Sequence, residues 1–350
     1  MTRVHCRQTR RGTIAAAALL LPVTLAACST GTRNNGGSAG TGGTPGNGSK
    51  VIVLIPKQTS DPFFTNAEQG AKEAAGELGY TINYVGPTTA DAAGQVTTIE
   101  NAIQTKPAAI TISANDPNAV APALKRAAAA GIVVSSYNAD VAPDARQFFI
   151  SQASDDGLAK TIVDTMAEQT GGKGHFLLVT STSTAANQNT WLAKMKEYIP
   201  TKYPDMVIDQ VVPGNDDPAT VLSVTSSYLA AHKSDTTGVW VIGGGMSAAV
   251  KAQQRLGIDP KKMPVAGLCI PSDVRVAVKS GLIKNCVLWS PADTAYADVY
   301  AIDAKIKGKL PTGSGTLAAG RLGTLQVADG IVSVGNPVTF TADNIDKYQF

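Results

Sequence analysis

From Val51 onward the chain alternates short apolar runs with amphipathic stretches, and this alternation restricts the fold more than any other feature of the sequence. Strand-like runs fall at Val51–Ile55, Thr81–Val85, Ala109–Ile112, Ile132–Ser135, His175–Val179, Met206–Val212, Val239–Ile242, Pro264–Leu268 and Asn285–Trp289. Between most of them apolar residues return every three or four positions, as in Ala67–Leu78 and Val96–Gln104, the period of a helix with one buried face. Apolar strands separated by helices build parallel sheets covered on both sides, so the expected class is α/β. In open sheets of this kind ligands bind beyond the carboxyl ends of the strands. The candidate chemistry therefore sits in the loops after the runs, at Lys57, Phe63, Phe64, Asn115, Asp116, Tyr137, Asn138, Gly243 to Gly245 and Ser290.

The segment before Val51 has another character. Arg3, Arg7, Arg10 and Arg11 precede the apolar stretch Ile14–Leu21 and then Leu25-Ala26-Ala27-Cys28, the basic, apolar and small-residue order of a secretory signal. A cysteine directly after Leu-Ala-Ala resembles a bacterial lipobox, which implies a signal peptide over 1–27 and a lipid on Cys28. Residues 28–49, rich in Gly, Ser, Thr and Asn, then read as a flexible tether. No later apolar run approaches the ~18 residues of a membrane span, so the expected place is outside the cytoplasm, held to the membrane by the lipid anchor only. About 300 residues remain, enough for two lobes. A net charge of +3 with 16% charged residues provides no basic stripe for nucleic acid. Of four cysteines, Cys6 leaves with the signal and Cys28 carries lipid; Cys269 and Cys286 form either a disulfide or two buried thiols.

Enzyme signatures are weak. The mature chain keeps only His175 and His232, far apart, so no multi-histidine metal site is expected, and no cofactor. Gly245-Met246-Ser247-Ala248 lacks the last glycine of a nucleophile elbow. Gly243 to Ala248 satisfies G-x-G-x-x-A, yet Cys269 stands where a dinucleotide site expects an acidic residue, so a tight strand-to-helix turn is the better reading. The other loop residues are amides and rings. Asn115, Asn138, Asn187, Gln188 and Asn189 both donate and accept, which suits a polyhydroxylated ligand, and Phe63, Phe64, Tyr137 and Trp289 offer faces for its C–H groups. The bland alternatives are asparagine caps and a Phe63–Phe64 hydrophobic staple. Lys57, directly after a buried strand, requires a partner for its ammonium.

Ile55-Pro56-Lys57 with Phe63-Phe64, Gly86-Pro87-Thr88, "AAGQVTTIENAI", "SANDPNAVAPALKRAAAAGIVV", "SQAS", "NQNTW", "VLWS" and "TFTADNIDKYQF" resemble the solute-binding proteins of sugar ABC importers. Most similar is the branch with the rhamnose-binding proteins and the autoinducer-2 receptor, over nearly all of the chain after Val51. The resemblance implies a type I periplasmic-binding fold of two Rossmann-like lobes with parallel sheets, joined by a three-segment hinge. Residues 50–140 plus about 290–315 would form the N-terminal lobe, and 141–289 plus about 316–350 the C-terminal lobe. It also implies an ABC transporter permease as partner, a monomer, and no enzyme activity.

By position, the ligand-holding lysine of that receptor falls on Lys57 and its cleft-lining aromatic on Phe64. Its Trp-Asp pair falls on Tyr137-Asn138, its Asp-Gln on Asn187-Gln188, and its Leu-Trp-Asp on Leu288-Trp289-Ser290. Three pocket carboxylates are thus replaced by Asn138, Asn187 and Ser290, which can donate as well as accept. The expected ligand is a small neutral sugar or polyol, such as a tetritol, pentitol, pentose or deoxyhexose; the alternative is autoinducer-2 or a related signal. The expected site is Lys57, Phe63, Phe64, Asn115, Tyr137, Asn138, Asn187, Gln188, Trp289 and Ser290. Asp116, Asp140 and Asp293 lie near by sequence as candidates to restore a charge, and the loss of paired carboxyls speaks against a glycosidase.

Overall fold

The computed structural model describes residues 48–350; the signal peptide over 1–27, the lipid on Cys28 and nearly all of the tether lie outside the described residues. In the first part of the chain, strands β1 (Val51–Ile55), β2 (Thr81–Tyr84), β3 (Ala109–Ile112), β4 (Val133–Tyr137) and β5 (Phe148–Ser151) are spaced by helices α1 (Pro62–Leu78), α2 (Ala92–Gln104) and α3 (Pro117–Ala129). There follow α4 (Asp155–Thr170), β6 (Lys173–Thr180), α5 (Ala186–Lys202), β7 (Asp205–Pro213), α6 (Pro218–His232), β8 (Gly238–Val241) and α7 (Met246–Arg255). The chain ends with β9 (Val265–Gly267), α8 (Pro271–Lys279), β10 (Asn285–Leu288), α9 (Pro291–Ile306), β11 (Gly315–Ala318), β12 (Thr324–Ala328), β13 (Ile331–Ser333) and β14 (Val338–Thr341).

Helix starts follow from local chemistry. Asp61, Asp91, Asp116 and Asp217 sit in extended backbone and accept hydrogen bonds from the first free N–H groups of α1, α2, α3 and α6. Proline opens α1, α3 and α6, where its missing N–H costs nothing. Each strand-to-helix loop is thereby held short at the carboxyl end of its strand.

Two sheets result. The first runs β2-β1-β3-β4-β5-β13-β12-β11, parallel from β2 to β13 and antiparallel in its last three strands. The second runs β7-β6-β8-β9 in parallel, and a bridge from Leu268 to Val287 carries it on to β10, which pairs antiparallel with β14. The chain passes from one sheet to the other three times, after β5, after β10 and after β13. Helices α1 and α9 pack so closely that a Cβ on Gly70 would lie 2.0 Å from the Ala292 carbonyl oxygen.

The sheets divide the chain by strand pairing. Strand β5 hydrogen-bonds to β4 and β13, so the chain first passes between the sheets after Ser151, where the sequence expectation set the lobe boundary at 140. Strands β11 to β13 belong to the first sheet, and among these last strands only β14 joins the second. Their side chains alternate between solvent and core, as in β12, so they carry no apolar run. Cys269 and Cys286 are joined, their Cα atoms 5.8 Å apart, which ties the end of β9 to β10.

Candidate ligand-binding site

The loops at the carboxyl ends of both sheets face each other across a cleft lined mainly by rings and amides, with a few charged groups among them. Lys57, Asp61, Phe63, Phe64 and Asn138 line it from the first sheet. From the second come Asn187, Gln188, Trp191, Asp216, Gly243 to Met246, Leu268 to Ile270, Asp273, Leu288 and Trp289.

Lys57 is 2% exposed, and its ammonium donates across the cleft to Asn187 Oδ1 at 3.3 Å and Gln188 Oε1 at 3.1 Å. Burial pushes its pKa below the usual lysine value, while the carboxylates of Asp216 and Asp61 work against that push. Its backbone is fixed by amides. The Gln95 side chain, wholly buried, donates to the carbonyls of Pro56 and Ser113 and accepts from the Asn115 N–H, each at 2.8 Å. Asn115 Nδ2 in turn donates to the Lys57 carbonyl at 2.8 Å.

The aromatic wall comes from both sides. Phe63 and Phe64 occupy the first turn of α1 and meet edge to face, with centroids 4.9 Å apart. Phe63 also meets Trp289 at 5.9 Å, and Trp289 meets Trp191 at 5.5 Å. Two buried polar atoms in this wall have no partner: the acceptor Asn138 Oδ1 and the donor Trp289 Nε1. Asn138 holds a left-handed backbone, φ 59°, which aspartate and asparagine tolerate best among residues with a Cβ.

Three expected site residues stand behind the cleft. Asn115 positions Lys57 and accepts at its carbonyl from Thr184 of the other side. Tyr137 is fully buried in β4, packed edge-on against Phe64 at 6.4 Å. The Ser290 hydroxyl caps α9 by accepting from the Asp293 N–H. The carboxylates expected to restore charge are engaged elsewhere: Asp116 caps α3, Asp140 pairs with Arg146, and Asp293 pairs with Arg321.

The expectation of a cleft without carboxylates does not hold. Asp61, Asp216 and Asp273 line it, and sequence reasoning missed all three. Burial, reinforced by Asp216, raises the Asp61 carboxyl to about 6. The signal for Asp61 was present in Asp61-Pro62-Phe63-Phe64, where the N-cap of the helix that carries the rings has to lie at the cleft mouth. No group of three or more His, Cys, Asp or Glu side chains able to hold a metal ion occurs among the described residues.

A two-sheet α/β body whose strand-end loops flank an aromatic and amide-lined cleft has the architecture of a small-solute binding protein. A family model described as "Periplasmic binding protein domain" matches residues 52–310. A sugar ABC transporter structure from Actinomyces odontolyticus is 36% identical over 86% of this chain and 98% of that one, with a TM-score of 0.69. LsrB from Clostridium saccharobutylicum in complex with AI-2 is 26% identical, TM-score 0.81, over 86% and 100%. A solute-binding protein from Clostridium phytofermentas with bound L-rhamnose is 27% identical, TM-score 0.80, over 86% and 98%. The chain belongs to the periplasmic binding protein family, among the sugar-binding components of ABC transporters. Members of this family are extracytoplasmic and non-enzymatic, and that membership, rather than any lack of carboxylates, carries the reading as a binder.

Proposed function

We propose that this protein captures a small neutral sugar or sugar alcohol in the cleft and hands it to an ABC permease, working as a monomer tethered through lipid on Cys28. The carrying observation is the pair of unpartnered buried atoms, one acceptor and one donor, set in an aromatic wall at Asn138 and Trp289. A ligand hydroxyl both donates and accepts, so neighbouring hydroxyls satisfy both atoms while the rings cover the C–H face. The third N–H of Lys57 is available to a ligand oxygen, since two are held by Asn187 and Gln188. Relatives with bound L-rhamnose and D-arabinose support this ligand class. Likeness to LsrB with AI-2, together with Lys57 in the cleft, favours autoinducer-2 as the second reading.

A thermal-shift screen of the chain from Ser29 onward separates these readings. The panel is L-rhamnose, D-arabinose, other pentoses and deoxyhexoses, four- to six-carbon alditols and autoinducer-2. A melting point raised by one neutral sugar or polyol class is the expected outcome. A response to autoinducer-2 alone replaces it with the second reading, and silence across the panel overturns both.

A further inference from the structure

The second sheet brings one carboxylate into the cleft by an unusual route. Asp216 lies in the loop between β7 and α6, whereas the other second-side residues follow β6, β8, β9 and β10. The loop reaches the cleft by lying across the glycines after β8. A Cβ on Gly243 would sit 2.7 Å from Asp216 Oδ1, and one on Gly244 would lie 3.4 Å from the Asp216 backbone. The absence of side chains there is what admits the loop. Gly244 N–H then donates to Asp216 Oδ1 at 2.7 Å, and the Ser181 hydroxyl donates to Oδ2 at 2.5 Å. Asn215 and Asp216 both hold left-handed backbone, φ 55° and 52°, and Gln58 reaches across from the first side to donate to the Asp216 carbonyl at 3.1 Å.

This carboxylate is placed with purpose. Lys57 and Asp61 line the same cleft, and the charge of Asp216 there supports that of Lys57 and opposes that of Asp61. Both carboxylates line the same cleft as the unpartnered Asn138 Oδ1 and Trp289 Nε1, which are 5% and 4% exposed by residue. Two carboxylates from opposite sides of a cleft repel as it closes, unless something between them donates a hydrogen bond to each. Adjacent hydroxyls on one ligand do that without bringing charge. A carboxylate on the ligand adds a third negative charge beside the pair.

We propose that Asp216, delivered over the glycine triplet, is a ligand-binding residue which with Asp61 forms a two-carboxylate subsite for adjacent hydroxyls of the solute and rejects carboxylated sugars. The inference rests on the proposed capture of a neutral polyhydroxylated solute. Asp216 supplies the hydroxyl acceptor from the second side and Asp61 the one from the first, so the solute itself permits full closure.

Calorimetry tests this with the neutral probe that raises the wild-type melting point most, starting with D-arabinose and L-rhamnose, and with D-arabinonate as the anionic counterpart. Asp216→Asn is expected to weaken the neutral probe at least tenfold and to narrow the preference over D-arabinonate. Asp217→Asn, one residue away at the α6 cap, is expected to leave affinity within twofold. Ser181→Ala, which removes the hydroxyl that holds Asp216 Oδ2, is expected to weaken the neutral probe in the same direction, and the double variant to lose no more than Asp216→Asn alone, because both act on one interaction. Additive losses, or an Asp216→Asn protein that binds as wild type, overturn the inference. A ligand-free readout keeps this separate from the proposed function. In carboxyl ¹³C NMR titrations Asp61 should titrate near 6 in wild type and move towards the ordinary aspartate value in Asp216→Asn. An Asp61 that does not move overturns the subsite whatever the ligand, whereas a moving Asp61 with no neutral probe bound supports the subsite and sinks only the sugar reading.

Discussion

Lys57 and Asp298 are both almost wholly removed from water, and they are treated in opposite ways. Lys57, 2% exposed, donates to Asn187 and Gln188 across the cleft and has two carboxylates in its field. Asp298, 0% exposed in α9, has no well-formed hydrogen bond to either oxygen, only the nearby hydroxyls of Thr111 and Ser135, which favour its charged form. Those two hydroxyls, and that of Tyr137 close by, have no other partner. Desolvation acts on both groups, lowering the Lys57 pKa and raising the Asp298 carboxyl to about 7, with Thr111 and Ser135 acting against the rise. The difference lies in where compensation comes from. Lys57 is compensated by groups on the far side of a cleft, so its energetics belong to closure and binding; Asp298 is enclosed within one layer, so its energetics belong to folding.

The largest expected effect tests the folding half of that contrast. A folded carboxyl raised to about 7 from an ordinary 3.8 favours the protonated form in the folded state. Its stabilising contribution is complete below the unfolded value and is lost as pH rises from about 4 to about 7. At ~1.4 kcal/mol per unit, the three-unit difference is on the order of 4 kcal/mol. Urea unfolding should show the wild type more stable at pH 5 than at pH 8, and Asp298→Asn should remove most of the difference. Asp61, raised to about 6, adds a smaller change of the same sign that remains in that variant. Equal wild-type stability at the two values would place Asp298 among ordinary carboxylates.

Lys57→Met addresses the other half. Ligand affinity should fall by about 1–3 kcal/mol, roughly 5- to 150-fold, while unfolding free energy stays level or rises, because a buried charge is replaced by an apolar chain. A large loss of stability with intact binding would make Lys57 a core residue. Asn138→Gly keeps the left-handed backbone while removing the unpartnered oxygen, so calorimetry should report a loss of about 1 kcal/mol in binding and little change in melting. The smallest effect is that of Thr111→Val, which should move the pH midpoint of the stability change upward by a fraction of a unit, since one group favouring the charged form is gone.

Much of the fold was readable before the structure, because the central strands are apolar on both faces and end in loops marked by Lys57, Asn138 or the glycine triplet. The strands missed were β5, four residues whose burial alternates although it pairs on both sides, and β11 to β14, short elements at or beyond the edge of the parallel core. Within the site, the residues that follow their own strands, such as Lys57, Asn138 and Trp289, could be placed from chain order alone. Asp216 could not. Gly214-Asn215-Asp216-Asp217-Pro218 reads as a turn and a helix cap, and Asp217 does cap α6. Only the packing of that loop over Gly243 and Gly244, which belong to a different connection, brings its neighbour Asp216 into the cleft. Asn115 and Ser290 stand at the strand ends that chain order indicates, with the Asn115 Nδ2 and the Ser290 hydroxyl bonded to backbone groups and the Asn115 Oδ1 buried without a partner.

The three crossings also set a timetable. The first sheet lacks its outer strands until residues 315–333 have been made, and the second lacks the partner of β10 until residues 338–341 follow. Neither half is a segment of sequence that can finish folding while the rest is still being synthesised, as a sequential domain does. A chain cut at either of the first two crossings leaves two incomplete sheets with open edges, and one cut at the third leaves β10 without β14, so the protein matures as a whole, and late, once its last strand is in hand.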